Sequence, residues 1–341
     1  MNNHLGIDIG QSSVKIVSIN KDNKEKFLLE SIGEAKLQLT ETGKNDSEKK
    51  WGSIGTAIKT IIADNKIKNK RVVVAMPENE VISRLVRLPP LKESEIMDAL
   101  RFEAETFVPY PLEEVSLDYE IIEKDEAGRL TVFVIAARSE LITNYIKLFK
   151  SLGLELVALE SPAVAFRRMA KNSVGSIERV VFLNIGEKFS DIFNIYKGNV
   201  HFSRSLPVGG ESLTRAVSLG LGLDLASAEE YKKAYGIKEE ELEGKIRIAT
   251  MPVFNSITDE VRKAISLFVE DTGGKKVQLL VLSGGGANLP GMAEELTRIL
   301  GVEVQISQPF VNIDVSQIQS PFNLNVEGCR FSLAVGLSLR E

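Results

Sequence analysis

Leu5-Gly6-Ile7-Asp8-Ile9-Gly10-Gln11-Ser12-Ser13-Val14-Lys15-Ile16-Val17 decides the fold. Apolar residues alternate on both sides of Gly10-Gln11-Ser12-Ser13, the pattern of a β-hairpin around a tight loop. A related segment lies in mid-chain, Val181-Phe182-Leu183-Asn184-Ile185-Gly186-Glu187-Lys188-Phe189-Ser190-Asp191. A third apolar run, Leu280-Val281-Leu282, enters Ser283-Gly284-Gly285-Gly286-Ala287-Asn288-Leu289-Pro290-Gly291. Two similar hairpins almost half a chain apart point to a duplicated domain, and two such loops face to face could hold a phosphate chain from both sides.

Around these anchors the spacing predicts a helix over 51–65, where Ile54, Ala57, Ile58, Ile61 and Ile62 fall on one face, and a buried strand at Val72–Met76. A hairpin, a helix and a buried strand open an α/β unit with a mixed sheet. Residues 38–50 are polar and read as a loop. Residues 79–158 read as an inserted α+β subdomain in the order strand, helix, strand, strand, helix, strand, with Leu154–Glu160 as its last strand. Helices are predicted at 212–219, 225–235, 252–269, 289–300 and 331–339, with strands at 277–282 and 302–306.

The bulk numbers exclude several classes. With 341 residues the chain can bury more than one core, and a net charge of −5 gives no global basic surface for nucleic acid. Cys329 is the only cysteine, so no internal disulfide forms, and a small buried residue is the reading for it. His4 and His201 stand far apart without cysteine partners, against a zinc site or a Ser-His-Asp triad. No leader pattern and no span of membrane length are expected. The basic run Lys66–Arg71 reads as a solvated turn.

The loops have their own chemistry. Gly10 lets backbone approach a ligand, Ser12 and Ser13 add hydroxyls, Lys15 adds a positive charge, and successive N–H groups make an anion cradle. Asp8 stands where a carboxylate can hold Mg²⁺ through its water shell. Gly186, Lys188 and Ser190 repeat the arrangement with Asn184 at the position of Asp8. The triple glycine fits neither a P-loop nor a Rossmann fingerprint, since no Gly-Lys-Ser/Thr follows and the spacing differs.

Taken together the segments resemble the actin-like nucleotide-binding superfamily. Arg204–Gly210, Ala228–Gly236, Met76-Pro77, Glu260–Ile265, Gln308-Pro309-Phe310 and Ala334–Arg340 look like the cell-division FtsA family and, more closely, the type IV pilus assembly PilM family. That resemblance implies an actin-like α/β fold of two domains, each on a five-stranded mixed sheet, plus the inserted α+β subdomain and a helical subdomain. The division it implies is 1–78 with 159–180, an insertion at 79–158, 181–210 with 277–341, and helices at 211–276. ATP and Mg²⁺ are the implied cofactors, with Asp8 holding Mg²⁺ through water. Gly10, Gln11, Ser12, Ser13 and Lys15 contact phosphate from one side, and Gly186, Glu187, Lys188 and Ser190 from the other. Gly209 and Asn288 join the cofactor site, Glu229 and Lys232 reach the nucleoside, and Gly284, Gly285 and Gly286 lie against the adenine. The usual Asp of the second motif is Asn184 here, so weak or absent hydrolysis is expected and no catalytic residue is assigned.

The implied partner is the short N-terminal tail of a PilN-like inner-membrane protein, docked between the insertion and the first domain. Leu85, Leu88, Phe102 and Phe107 are candidate wall residues. The chain would be cytoplasmic, peripheral to the inner membrane through its partner, without a span of its own, and open to self-association into a ring. A small-molecule kinase needs a carboxylate base that cannot be singled out. An FtsA-like polymer former needs an amphipathic tail, and none is read after Arg340-Glu341.

Overall fold

The computed structural model describes residues 3–22, 26–37 and 47–341. The first hairpin joins β1 (His4–Ile9) to β2 (Ser13–Lys21), and β3 (Phe27–Lys36) adds a third antiparallel strand. The loop expected over 38–50 lies outside the described residues up to residue 46. Helix α1 (Ser47–Asp64) follows and buries Ile54, Ala57, Ile58 and Ile61, the stripe its spacing predicts. Strand β4 (Arg71–Ala75) runs parallel to β1, with Val72, Val73 and Val74 fully buried.

After Met76-Pro77 come β5 (Val81–Leu88), α2 (Glu93–Ala104), β6 (Val115–Lys124) and β7 (Leu130–Arg138). The three strands form a separate antiparallel sheet in the order β5-β7-β6. One face of it packs Val86, Leu88, Val132 and Val134 against Ile96 and Leu100 of α2. Helix α3 (Ser139–Ser151) and strand β8 (Glu155–Glu160) were expected inside this insertion. The strand instead pairs parallel with β4 in the first sheet, and Tyr145, Leu148 and Phe149 of α3 share a core with α1. A parallel neighbour needs a crossover, and α3 supplies it. Local alternation alone does not distinguish a strand that closes a hairpin sheet from one that returns to an earlier sheet.

Helix α4 (Pro162–Ser173) starts at Ser161, whose hydroxyl accepts from Ala163 N at 3.2 Å. It leads into β9 (Arg179–Ile185), β10 (Ser190–Tyr196) and β11 (Asn199–Leu206). Helices α5 (Gly210–Leu221), α6 (Leu225–Tyr235) and α7 (Lys245–Asp271) follow. Helix α7 begins before the expected Pro252, which sits inside it. A proline removes one interior hydrogen bond, and burial of Ile246, Phe254, Ile257 and Val261 around it offsets that cost. The chain ends through β12 (Leu279–Ser283), α8 (Met292–Leu300), β13 (Val304–Ile306), β14 (Ile313–Asp314), α9 (Leu324–Glu327) and α10 (Ser332–Ser338).

Two mixed sheets result, β11-β10-β9-β12-β13 and β14-β3-β2-β1-β4-β8. The second is the expected five strands plus β14, a two-residue edge strand pairing with β3. Helix α10 returns to the first sheet. The implied division places it in the 181–210 with 277–341 unit, whereas its Ala334 and Val335, with Leu339 just beyond it, pack on Val17 and Ile19 of β2. Glycine makes that return feasible: a Cβ on Gly6 would meet Ala334 O at 2.0 Å, and one on Gly336 would meet Ala165 O at 2.2 Å. Helix α4 joins the two large sheets, with the Phe166 and Phe193 rings stacked at 4.8 Å and Phe133 of the insertion in the same core.

Candidate nucleotide cleft

The two glycine hairpins turn alike. Gly10 N donates to Ser13 O at 3.0 Å and Gly186 N donates to Phe189 O at 2.9 Å. Both open on one cleft of about 1100 Å³, together with the triple glycine. Of the residues read from the sequence, Asp8, Gly10, Gln11, Ser12, Ser13, Lys15, Gly186, Glu187, Glu229, Lys232, Gly284, Gly285, Gly286 and Asn288 line it.

Three others stand back from the lining. Lys188 is exposed outside it. Ser190 is fully buried and donates to Val208 O at 2.7 Å. Gly209 lies against the second hairpin, where a Cβ would meet Glu187 O at 2.5 Å.

The three consecutive glycines have different jobs. A Cβ on Gly284 would meet Ile185 O at 2.4 Å, and one on Gly286 would meet the Ile185 side chain at 2.3 Å. Gly284 also has φ of +80°, the left-handed region that glycine suits. Only Gly285 would point a Cβ into open space. Its backbone is the flat surface available to a ligand, while its neighbours are required by packing. Asn288 is tied down, donating to Val326 O at 2.8 Å.

Lys232 is buried, and its ammonium group is held by Glu229 at 2.6 Å, Thr214 Oγ at 2.8 Å and Gly210 O at 3.0 Å. Burial lowers its pKa, against the pull of Glu229. For Glu229 burial acts upward, but hydrogen bonds from Lys232, Thr214 and Lys233 outweigh it and hold the carboxyl below its ordinary value. Glu229 is thus a fixed anion on the cleft wall and Lys232 its support.

Three functional-looking carboxyls escaped the sequence reading. Asp191 pairs across the second hairpin with Asn184, as Lys15 pairs with Asp8 across the first. Asn184 Nδ2 donates to it at 3.3 Å and Ser205 Oγ at 2.6 Å. Burial raises its pKa to about 6, aided by the charge of Asp8 and opposed by those two hydrogen bonds. Asp8 is raised by burial and pulled down by Lys15, 3.8 Å away. The second hairpin therefore does carry a carboxylate, five residues after its glycine, where the first carries Lys15. Aligning the hairpins by register rather than by their first polar residue would have found it. Glu34 on β3 also lines the cleft, and no local motif marks it.

The third, Glu78, is buried after Met76-Pro77 and accepts from Ser203 Oγ and, at 3.2 Å, from Ser161 Oγ. Ser203 Oγ lies 2.6 Å from Ser83 Oγ, so the network touches β5, β11 and the cap of α4. Burial raises the Glu78 pKa to about 8, with Asp191 adding to the rise and the serines opposing it. Above its ordinary value of 4.5 the native state holds a proton that the unfolded chain has released. This group's contribution to stability therefore falls with rising pH, by about 1.4 kcal/mol per unit, and levels off above about pH 8. Urea denaturation of Glu78→Gln across about pH 6 to 8 is expected to lack that decline, a window above the Asp191 titration. A slope matching the parent chain would refute the assignment.

A smaller hollow of about 230 Å³ lies where the insertion's strands enter the larger body, lined by Asn79, Glu80, Ile82, Tyr110 and Arg138 among others. Arg138 reaches Glu80 at 3.3 Å and lies 5.7 Å from the Tyr110 ring centre. None of Leu85, Leu88, Phe102 and Phe107 lines it. Leu88 is buried in the insertion's own core, Leu85 and Phe107 pack at core edges, and Phe102 is exposed on α2. Asn79 lines both this hollow and the main cleft.

A family model described as type IV pilus assembly protein PilM matches residues 6–341. The chain belongs to this family. It is similar to a solved PilM-PilN type IV pilus biogenesis complex, at 26% identity and TM-score 0.81, over 99% of this chain and 98% of that one. It is 22% identical to the cell division protein FtsA of Neisseria meningitidis serogroup B (strain ATCC BAA-335 / MC58), covering 97% of this chain and 88% of that protein. The fold also resembles MreB 5 of Spiroplasma citri bound to AMPPNP, at 14% identity and TM-score 0.53, over 98% of this chain and 95% of that one. The expected actin-like fold and PilM membership therefore hold. No helix among the described residues is long and apolar enough to cross a membrane.

Proposed function

We propose that this PilM-family chain is an ATP-binding scaffold of the type IV pilus inner-membrane platform that captures the N-terminal tail of a PilN-like protein. The observation that carries the nucleotide half is two matching glycine turns opening on one cleft beside a packed triple glycine. The turns offer backbone N–H groups, and Ser12, Ser13 and Lys15 add donors. Gly285 offers a flat surface to the base and Glu229 a fixed acceptor to the ribose.

Carboxyl groups outnumber basic side chains on the cleft's lining among the described residues, eight to five. A bare triphosphate would be repelled, so it would enter with a cation. The charge of Asp8 reaches Asp191, and these two are the groups that would hold Mg²⁺ through water. No group of three or more potential metal ligands converges among the described residues, so the ion would also need phosphate oxygens. When bound, Mg²⁺ neutralises phosphate charge. A dedicated hydrolase must also position a base or an attacking water. Asn184 stands in place of an Asp and, with Ser205, already occupies the Asp191 carboxylate, so slow or no turnover is the reading.

The partner half is supported by family membership and by the likeness to a PilM-PilN complex. The hollow near Tyr110 and Arg138 is the proposed dock. Its mixed apolar, aromatic and charged lining suits a short peptide whose main chain and side chains are both held. Docking there would place the chain beside the inner membrane from the cytoplasmic side and allow a ring of copies.

The test is calorimetric titration of a synthetic N-terminal peptide of a PilN-like protein, with and without Mg-ATP. Saturable binding, lost in Arg138→Ala, is expected. Absence of peptide binding in both states would remove the partner reading while leaving nucleotide binding to be judged on its own heat.

A further inference from the structure

Glu34 has no place in the phosphate-binding set described above, yet it engages that set. In the first sheet Asp8 pairs with Lys15 and Lys15 pairs with Glu34, which puts the three side chains in one row across β1, β2 and β3. The Lys15 ammonium group lies 3.7 Å from the Glu34 carboxylate and 3.8 Å from that of Asp8. Ser13 Oγ donates to Glu34 at 2.7 Å, and Lys15 donates to Ser13 Oγ at 3.2 Å. Arg330 bonds Glu34 from the opposite side, and its other nitrogen donates to Glu327 at 3.0 Å.

Both side-chain donors at the β2 end of the first turn thus converge on one carboxylate. That carboxylate also draws in Arg330, another cation of the cleft lining. A carboxylate presents the same chemistry to Ser and Lys as a phosphate oxygen does: an anionic acceptor for charge-assisted hydrogen bonds.

We propose that Glu34 is a built-in competitor for the phosphate end of the nucleotide, holding Ser13 and Lys15 until a polyphosphate displaces it. The proposal rests on the nucleotide reading of the cleft. Its consequence is graded selectivity. A ligand with more phosphate must take more from Glu34, so the carboxylate penalises ATP more than ADP and leaves adenosine untouched. Removing its charge frees Ser13, Lys15 and Arg330 together.

The test compares adenosine, ADP and ATP, each with Mg²⁺, by calorimetry on the full chain and on Glu34→Gln. Glu34→Thr, a good strand residue at this position in β3, is the second variant should the first fold poorly. ATP is expected to bind about tenfold tighter in either variant, ADP less so, and adenosine as in the parent chain. Unchanged or weaker ATP binding would overturn the proposal, and so would an equal gain for all three ligands. A residue that only orients Lys15 would give the first result, and one that only alters packing would give the second. If neither the parent nor a variant binds any of the three ligands, the nucleotide reading itself fails, a result distinguishable from binding without a phosphate-graded change.

Discussion

Gly336→Ala is expected to destabilise the chain by about 3 kcal/mol, at the upper end of overpacking costs. The added methyl would sit 2.2 Å from Ala165 O and 2.7 Å from Ala165 C, both backbone atoms of α4 that cannot rotate away. Gly6→Ala would crowd a different face of α10, its contact with β1, meeting Ala334 O at 2.0 Å and Ser338 N at 2.6 Å. In Gly336→Ala, α10 would have to lift from α4, and the bond that Arg168 Nε of α4 donates to Gly336 O at 2.8 Å would go with it. Alanine ordinarily favours a helix over glycine by up to about 1 kcal/mol, so the steric cost must exceed that gain before any loss appears. Gly52→Ala is the control. It lies in α1 with nothing within 4 Å of the added atom and is expected to be neutral or slightly stabilising. Urea midpoints of the three variants check this. Equal stability for Gly336→Ala and Gly52→Ala would mean α10 does not dock as described.

The second large effect concerns the cleft. Asp8→Ala and Asp191→Ala are each expected to weaken Mg-ATP binding about 10–100-fold, the range seen when groups that orient a metal's ligands are removed. Binding of ATP in the presence of a chelator is expected to change far less. Both carboxyls are raised above their ordinary values by burial, so removing either relieves an unfavourable charge and should not unfold the protein. The measurement is a nucleotide titration with and without Mg²⁺ on the parent and both variants. Retained magnesium dependence in Asp191→Ala would rule out a metal role for the second hairpin's carboxylate.

Local chemistry made much of this legible. The apolar runs that break at Gly10 and Gly186 specify two hairpins, because strands covered on both faces must be apolar and a tight turn needs a small residue. The amphipathic stripe placed α1 well, and the expected helix at 225–235 is α6. Even so, register mattered more than residue type for the site. Position by position Asn184 lacks the charge of Asp8, but a carboxylate stands opposite it at Asp191, on the neighbouring strand.

By itself the sequence determined the repeated hairpins, the helices with strong stripes and the glycines of the cleft, since each depends on neighbours a few residues away. Only the tertiary structure decided that β8 joins the first sheet, that α10 crosses back onto β1, and that Glu34, Glu78 and Asp191 face one cleft. These depend on contacts between residues tens to hundreds of positions apart, selected by burial of a shared core and by backbones that approach closely only where a side chain is missing.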